Sequence, residues 1–183
     1  MGGGVVTTMC LKKPDMFHGV ILYSPMIGIS EETLPPPIVV WIFKNILVTL
    51  LPTWPVAPAA DLSDMCCSDP AQNDVLRANP FGIGRTQFKL RTAKALGFDA
   101  PAWLEARLEK VAIPFLIIHS AGDRITDPKQ SQKLYDRARA TDKTIKLYPD
   151  AQHMDPLHGG PKKKELVQTA YSDIIAWLRE RSQ

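Results

Sequence analysis

Ile113-Pro-Phe-Leu-Ile-Ile-His-Ser120 runs directly into Ala121-Gly-Asp-Arg-Ile-Thr-Asp-Pro128. The first eight residues are apolar nearly throughout, as in a strand buried on both faces of a parallel sheet. Asp127-Pro128 then reads as a helix start, with aspartate as N-cap, proline at the first helical position and Gln130 three residues past the cap. That helix continues through Leu134, Tyr135 and Ala138. A second strand, Lys143–Tyr148, is closed by Pro149, and an earlier one, Phe17–Ser24, is closed by Pro25. The last helix opens at Pro161 and carries Leu166, Val167, Ala170, Tyr171, Ile174, Ile175 and Leu178 on one face. Strand, helix, strand, helix in this order predicts an α/β fold of parallel β/α units.

The rest of the chain is arranged around these units. Met1–Leu11 (MGGGVVTTMCL) predicts a short buried helix beginning at the first residue. Residues 27–110 have a different texture, with Pro35-Pro36-Pro37, Pro52, Pro55 and Pro58, and helical patterns at Val39–Leu50 and Gln87–Ala95. No strand signal appears there. The stretch 27–110 is read as a helical cap inserted over one end of the sheet, and 1–26 with 111–183 as the core. No internal repeat is present.

Composition narrows the function. The 183 residues are 45% hydrophobic and 22% charged, values that exclude a disordered chain or a coiled coil. The net charge of +3 is spread along the chain, which argues against nucleic acid as a partner. Three cysteines, Cys10, Cys66 and Cys67, suit a reducing compartment and packing roles rather than a disulfide framework. The opening residues lack a basic n-region and cleavage site, and Val6 stands where a myristoylation signal wants Ser or Thr. The longest apolar run, Ile38–Leu51, is broken at Lys44-Asn45 and falls short of the ~20 residues of a bilayer span. The expectation is a cytoplasmic protein able to touch a membrane surface.

Two loops carry candidate chemistry. An acid just past a buried strand sits where open α/β sheets place ligands and catalytic groups. Asp123 and Asp127 compete for that place. Asp127 is explained as an N-cap, whereas Asp123 is either a turn residue or the acid. His153, in the loop after Lys143–Tyr148, suits a general base whose second ring nitrogen is oriented by a carboxylate. Asp followed by His after successive strands is the tail of the order Ser, Asp, His used by α/β-hydrolases. His119 reads as a packing or hydrogen-bonding residue, His18 as a surface one, and Lys162-Lys163-Lys164 as a solvated helix start. His153, Asp155 and His158 form H-x-D-x-x-H on a Gly/Pro-rich loop, not an H-E-x-x-H helix, so no metal site is read there.

Several segments together resemble one branch of the α/β-hydrolases. They are Ile21-Leu-Tyr-Ser-Pro-Met26, Ile29-Ser-Glu31, Pro35-Pro-Pro37, Leu51-Pro-Thr-Trp54, Asp69-Pro70, the Asp123 segment, Thr144-Ile-Lys-Leu-Tyr-Pro149 with His153, and Asp173-Ile-Ile-Ala-Trp177. The branch is the plant and algal monoacylglycerol lipase-like one, which includes caffeoyl shikimate esterase-type enzymes. H-x-x-x-D-x-x-T-D-P and Y-P-x-x-x-H, in that order, are its most specific parts. Met1-Gly2-Gly3 is similar to the end of the family's G-x-S-M-G-G nucleophile turn. No G-x-S-x-G occurs within the chain, because Ser24, Ser30, Ser63, Ser68, Ser120, Ser131, Ser172 and Ser182 all lack the flanking glycines.

The resemblance implies a C-terminal portion of an α/β-hydrolase beginning just after the nucleophilic serine, with a helical cap. It implies hydrolysis of a small acyl ester or lipid by a Ser-His-Asp triad. Asp123 and His153 would be the two members present, and Met1 would supply a backbone N–H to the oxyanion hole. No cofactor, metal or obligate protein partner is implied. Val39–Leu51 would be a membrane-facing lid. The alternative is a catalytically dead α/β-hydrolase-like interaction module.

Overall fold

The computed structural model describes residues 1–28, 35–55, 62–80 and 87–182. Three parallel strands, β1 (Val20–Tyr23), β2 (Phe115–Ser120) and β3 (Lys143–Tyr148), form its sheet in that spatial order. β1 and β2 start later than their apolar runs suggest. Pro114 has no N–H to give a ladder, so it only accepts, from Val20 N at 3.0 Å, and pairing begins at Val20↔Phe115.

All six residues of β2 are buried, as befits the middle strand. Phe115 and Ile117 share one core with Cys10, Leu22, Leu104, Leu108 and Leu134. Leu116 and Ile118 share the other with Tyr148, Ala151, Ala170 and Trp177. Helices α1 (Gly2–Lys12), α6 (Ala100–Glu105) and α7 (Pro128–Arg137) supply the first side, and α9 (Lys164–Arg179) the second.

Helix α1 is less buried than its composition suggests. Only Thr7 and Cys10 are buried, while Met1, Val5 and Met9 lie along an exposed stripe. Spacing explains this: Gly3, Thr7 and Cys10 recur on the inward face, leaving the intervening apolar residues outward. A methyl group on Gly3 would come within 2.4 Å of Pro25 Cβ, and one on Gly4 within 2.6 Å of Met26 O. The start of α1 therefore presses on the chain as it leaves β1. The outward stripe lines a cavity of about 270 Å³ with Met26, Leu96 and Pro101.

Between β1 and β2 the described residues are helical apart from turns and one isolated bridge, Pro55 with Lys89. α2 (Pro37–Ile42) continues through a π-helical turn, Phe43–Leu47, into α3 (Val48–Leu50). α5 (Leu90–Lys94) passes through a second π-helical turn, Ala95–Asp99, into α6. The two π-helical turns meet where the rings of Phe43 and Phe98 lie 5.8 Å apart. α4 (Pro70–Ala78) was not expected. Because Leu104 and Leu108 enter the core, α6 and the turn after it belong to the core layer, although they fall inside the 27–110 stretch read as cap. Ile29–Glu31 and Pro58 lie outside the described residues.

Asp127 caps α7, accepting from Lys129 N at 2.9 Å. Gln130 does not close a capping box: its side-chain amide lies over Gly28 instead. Asp127→Ala is expected to destabilise the fold by about 1 kcal/mol and Asp127→Asn to be near neutral, read by urea denaturation.

Candidate active site

The parallel pairing of β2 with β3 brings Ser120 opposite Tyr148, so both following loops leave the same edge of the sheet. They are drawn together at once. Ala121 N donates to Tyr148 O at 2.8 Å, and a methyl group on Gly122 would come within 2.8 Å of Ala151 O. Glycine at 122 is what allows this approach.

Asp123 and His153 meet across that gap, with His153 Nδ1 2.6 Å from Asp123 Oδ2. The Asp123 side chain is fully buried, whereas that of His153 is 21% exposed. Oδ1 accepts from Ile125 N at 2.8 Å and Thr126 N at 3.0 Å. Oδ2 also takes the Thr126 hydroxyl at 2.8 Å and His119 Nε2 at 3.0 Å. Burial alone would push this carboxyl up. Hydrogen bonds from His119, His153 and the Thr126 backbone outweigh it and hold Asp123 far below the usual carboxylate range. Asp127, the competing acid, is occupied by its cap.

The loop carrying His153 is held from several directions. The Tyr23 hydroxyl and Ser24 Oγ donate to His153 O at 2.8 and 3.0 Å, and Ser120 Oγ donates to Gln152 O at 2.6 Å. Ser24 adopts the left-handed region, with φ 37°, as the chain turns from β1 into Pro25. From the segment between β1 and β2, Cys66 O accepts from Met154 N at 2.7 Å. The fully buried carboxylate of Asp155 accepts from Ser68 N at 2.9 Å, Gln152 N at 2.8 Å and the Ser68 hydroxyl.

Burial pushes the Tyr23 phenol up, helped by the charges around Cys67, Asp123 and Asp155. Burial, then the Asp155 charge, pushes the Cys67 thiol up to about 11, which leaves it protonated and suited to packing. Asp155 is spent on Ser68 and Gln152, not on His153 or His158. Among the described residues no three His, Cys, Asp or Glu side chains converge as metal ligands.

Met1 stands half-exposed at the start of α1, with no side-chain cap over the first N–H groups of the helix. Its place is set through Gly3 and Gly4 against Pro25 and Met26, one step from Ser24. The polar contacts of Asp123 and His153 do not include it. Tyr23, Ser24 and Ser68 carry no role in the sequence reading, since their partners lie far away along the chain. The His119–Asp123–Thr126 spacing was the one signal of the buried network around the acid.

The chain matches the family described as serine aminopeptidase, S33, over residues 1–156, a stretch that includes both Asp123 and His153. It is 26% identical to human monoglyceride lipase over 182 residues, 100% of this chain and 57% of that protein. It is 25% identical to caffeoylshikimate esterase of Arabidopsis thaliana, over 98% of the chain and 53% of that protein. The chain thus spans about half the length of the curated relatives it matches. Among solved structures, a monoacylglycerol lipase from Paleococcus ferrophilus superposes with a TM-score of 0.79 at 22% identity, covering 98% of this chain and 65% of that one. A soluble variant of Saccharomyces cerevisiae monoglyceride lipase, in complex with a substrate analogue, does so with a TM-score of 0.80 at 23% identity, covering 98% and 62%. By its fold and its family match, the chain belongs to the serine aminopeptidase S33 family of α/β-hydrolases.

Proposed function

We propose that this chain is the C-terminal portion of a serine ester hydrolase of monoacylglycerol lipase type. The nucleophilic serine would be the residue just before Met1. The observation that carries the reading is the 2.6 Å contact between His153 Nδ1 and a fully buried, ionised Asp123.

An ionised carboxylate only accepts, so Nδ1 carries the ring proton and Nε2 is left as the basic nitrogen. With 21% of the side chain exposed, His153 is reachable by substrate. In the reaction the serine hydroxyl attacks the ester carbonyl and gives its proton to Nε2. His153 returns that proton to the leaving alcohol as the acyl-enzyme forms. Asp123 stays ionised and stabilises the imidazolium. Met1 would donate its backbone N–H to the developing oxyanion, as the resemblance implies.

The substrate class is an acyl ester of lipid type, in line with the substrate class in the names of the relatives. The cap supports this with exposed Ile38, Trp41, Leu50 and Trp54, a surface able to take an acyl chain or rest on a lipid interface. No described helix is long and apolar enough to cross a membrane.

The test compares residues 1–183 with the protein extended upstream through the serine. Expected are covalent labelling of the extended protein by a fluorophosphonate at that serine, hydrolysis of a monoacylglycerol, and no labelling of residues 1–183. Labelling of an internal serine that disappears in His153→Ala would overturn the reading. Absence of any hydrolysis in the extended protein would favour the interaction module.

A further inference from the structure

Asp123 faces two imidazoles, and the proposed chemistry uses only one of them. His119, on β2, is fully buried. Its Nε2 lies 3.0 Å from Asp123 Oδ2 and 3.2 Å from Thr126 O, and both are acceptors. Nε2 therefore carries the ring proton. Nδ1 lies 2.7 Å from the hydroxyl of Ser131 on α7, which can donate to it. A neutral ring thus has both nitrogens satisfied.

Oδ2 therefore accepts from Thr126, His153 and His119 at once, at 2.8, 2.6 and 3.0 Å. Donors that share one oxygen compete for its electron density, so each weakens the grip on the others. We propose that His119 is a positioning residue for the catalytic pair: it fixes the Asp123 carboxylate in its rotamer and, by sharing Oδ2, limits how tightly that carboxylate holds the His153 imidazolium. This rests on the reading of Asp123 and His153 given above.

The neighbouring groups leave this role to His119. Thr126 and Ser131 contribute neutral hydroxyls. Tyr23, from β1, gives its proton to His153 O and stays neutral, since burial pushes its phenol up. Cys67, from the cap, stays a thiol. Asp155, at the start of α8 (Asp155–His158), faces Ser68 and Gln152.

The test uses the upstream-extended protein with His119→Leu and His119→Gln. Two quantities are read: the His153 pKa by NMR titration of its ring, and kcat and KM across pH. Leucine removes the competing donor, so the His153 pKa and the acid limb of kcat rise together, by about 0.5–1 pH unit. In the same variant kcat falls by ~10-fold through loss of the Asp123 rotamer, with KM little changed. Glutamine offers an amide N–H from nearly the same place and brings both back towards wild type. A residue that merely packs gives the opposite pattern, with glutamine no better than leucine and the His153 pKa unmoved or lowered. That result overturns the proposal.

If His119→Leu does not fold, Ser131→Ala carries the test. It removes the hydroxyl that polarises the His119 ring from Nδ1 and so weakens Nε2–H as a donor to Oδ2; the His153 pKa rises by a smaller amount, while no rise overturns the proposal. Should the wild-type protein show no hydrolysis dependent on His153, the functional reading fails. The NMR comparison still decides the role of His119.

Discussion

Asp123→Asn in the upstream-extended protein is expected to lower ester hydrolysis by roughly 10⁴-fold, and His153→Ala by about 10³–10⁶-fold. The environment of Asp123 explains why so small a change is so costly. Both carboxylate oxygens face donors only, Ile125 N and Thr126 N on one side and Thr126, His119 and His153 on the other. An amide nitrogen must occupy one of those positions. At Oδ1 it would oppose two backbone N–H groups. At Oδ2 it would oppose His119 and Thr126, and would turn the His153 proton from Nδ1 to Nε2, where the base must be free. Either placement leaves a buried donor unpaired, so about 1–3 kcal/mol of stability is lost with the activity. Steady-state hydrolysis and urea denaturation on the same variant check both parts. Asp127→Asn serves as the control. If it were the sensitive position instead, the acid would be misassigned.

The second large effect concerns the fold. Phe115→Ala is expected to destabilise the extended protein by about 3–5 kcal/mol, against a net stability of about 5–15 kcal/mol for a domain. Phe115 is fully buried at the first paired position of β2, in a core drawn from β1, α1, α6 and α7. Four separate elements cannot all close on the space a ring leaves, so most of it stays a cavity. Phe115→Leu leaves a smaller void and should cost less. Urea midpoints with unchanged slope would establish the order; equal midpoints for Ala and wild type would contradict the packing described here.

Parallel β/α order was legible because β2 is apolar on both faces, a pattern that neither an amphipathic helix nor a solvated strand produces. Exact strand starts were not. They depend on Pro114, whose missing N–H matters only once a partner strand is known. Helix α4 escaped notice although Asp69-Pro70 repeats the start signal of Asp127-Pro128. Among its residues only Asn73 is buried, so no apolar period marks it.

In the site, strand order places the loops of Asp123 and His153 side by side, whereas the choice of Asp123 as the acid over a turn residue rests on the resemblance. His119 looked like an ordinary strand-end residue. Its polar partners, Asp123, Thr126 and Ser131, become visible only when the turn after β2 closes. Asp155 drew no role from its place in H-x-D-x-x-H, because its partner Ser68 comes from a segment 87 residues away.

The hold on the His153 loop has a consequence for transplanting this site. Tyr23, Ser24 and Ser120 grip main-chain oxygens of Gln152 and His153, and Cys66 O takes a main-chain N–H of the same loop. None of these contacts reads which side chain the gripped loop residue carries. The address of the histidine is thus written in other segments, at the ends of two strands and between β1 and β2. Moving residues 150–155 into another α/β scaffold would carry the base without its coordinates. A graft that also brought Tyr23, Ser24, Ser68 and Ser120 would carry both.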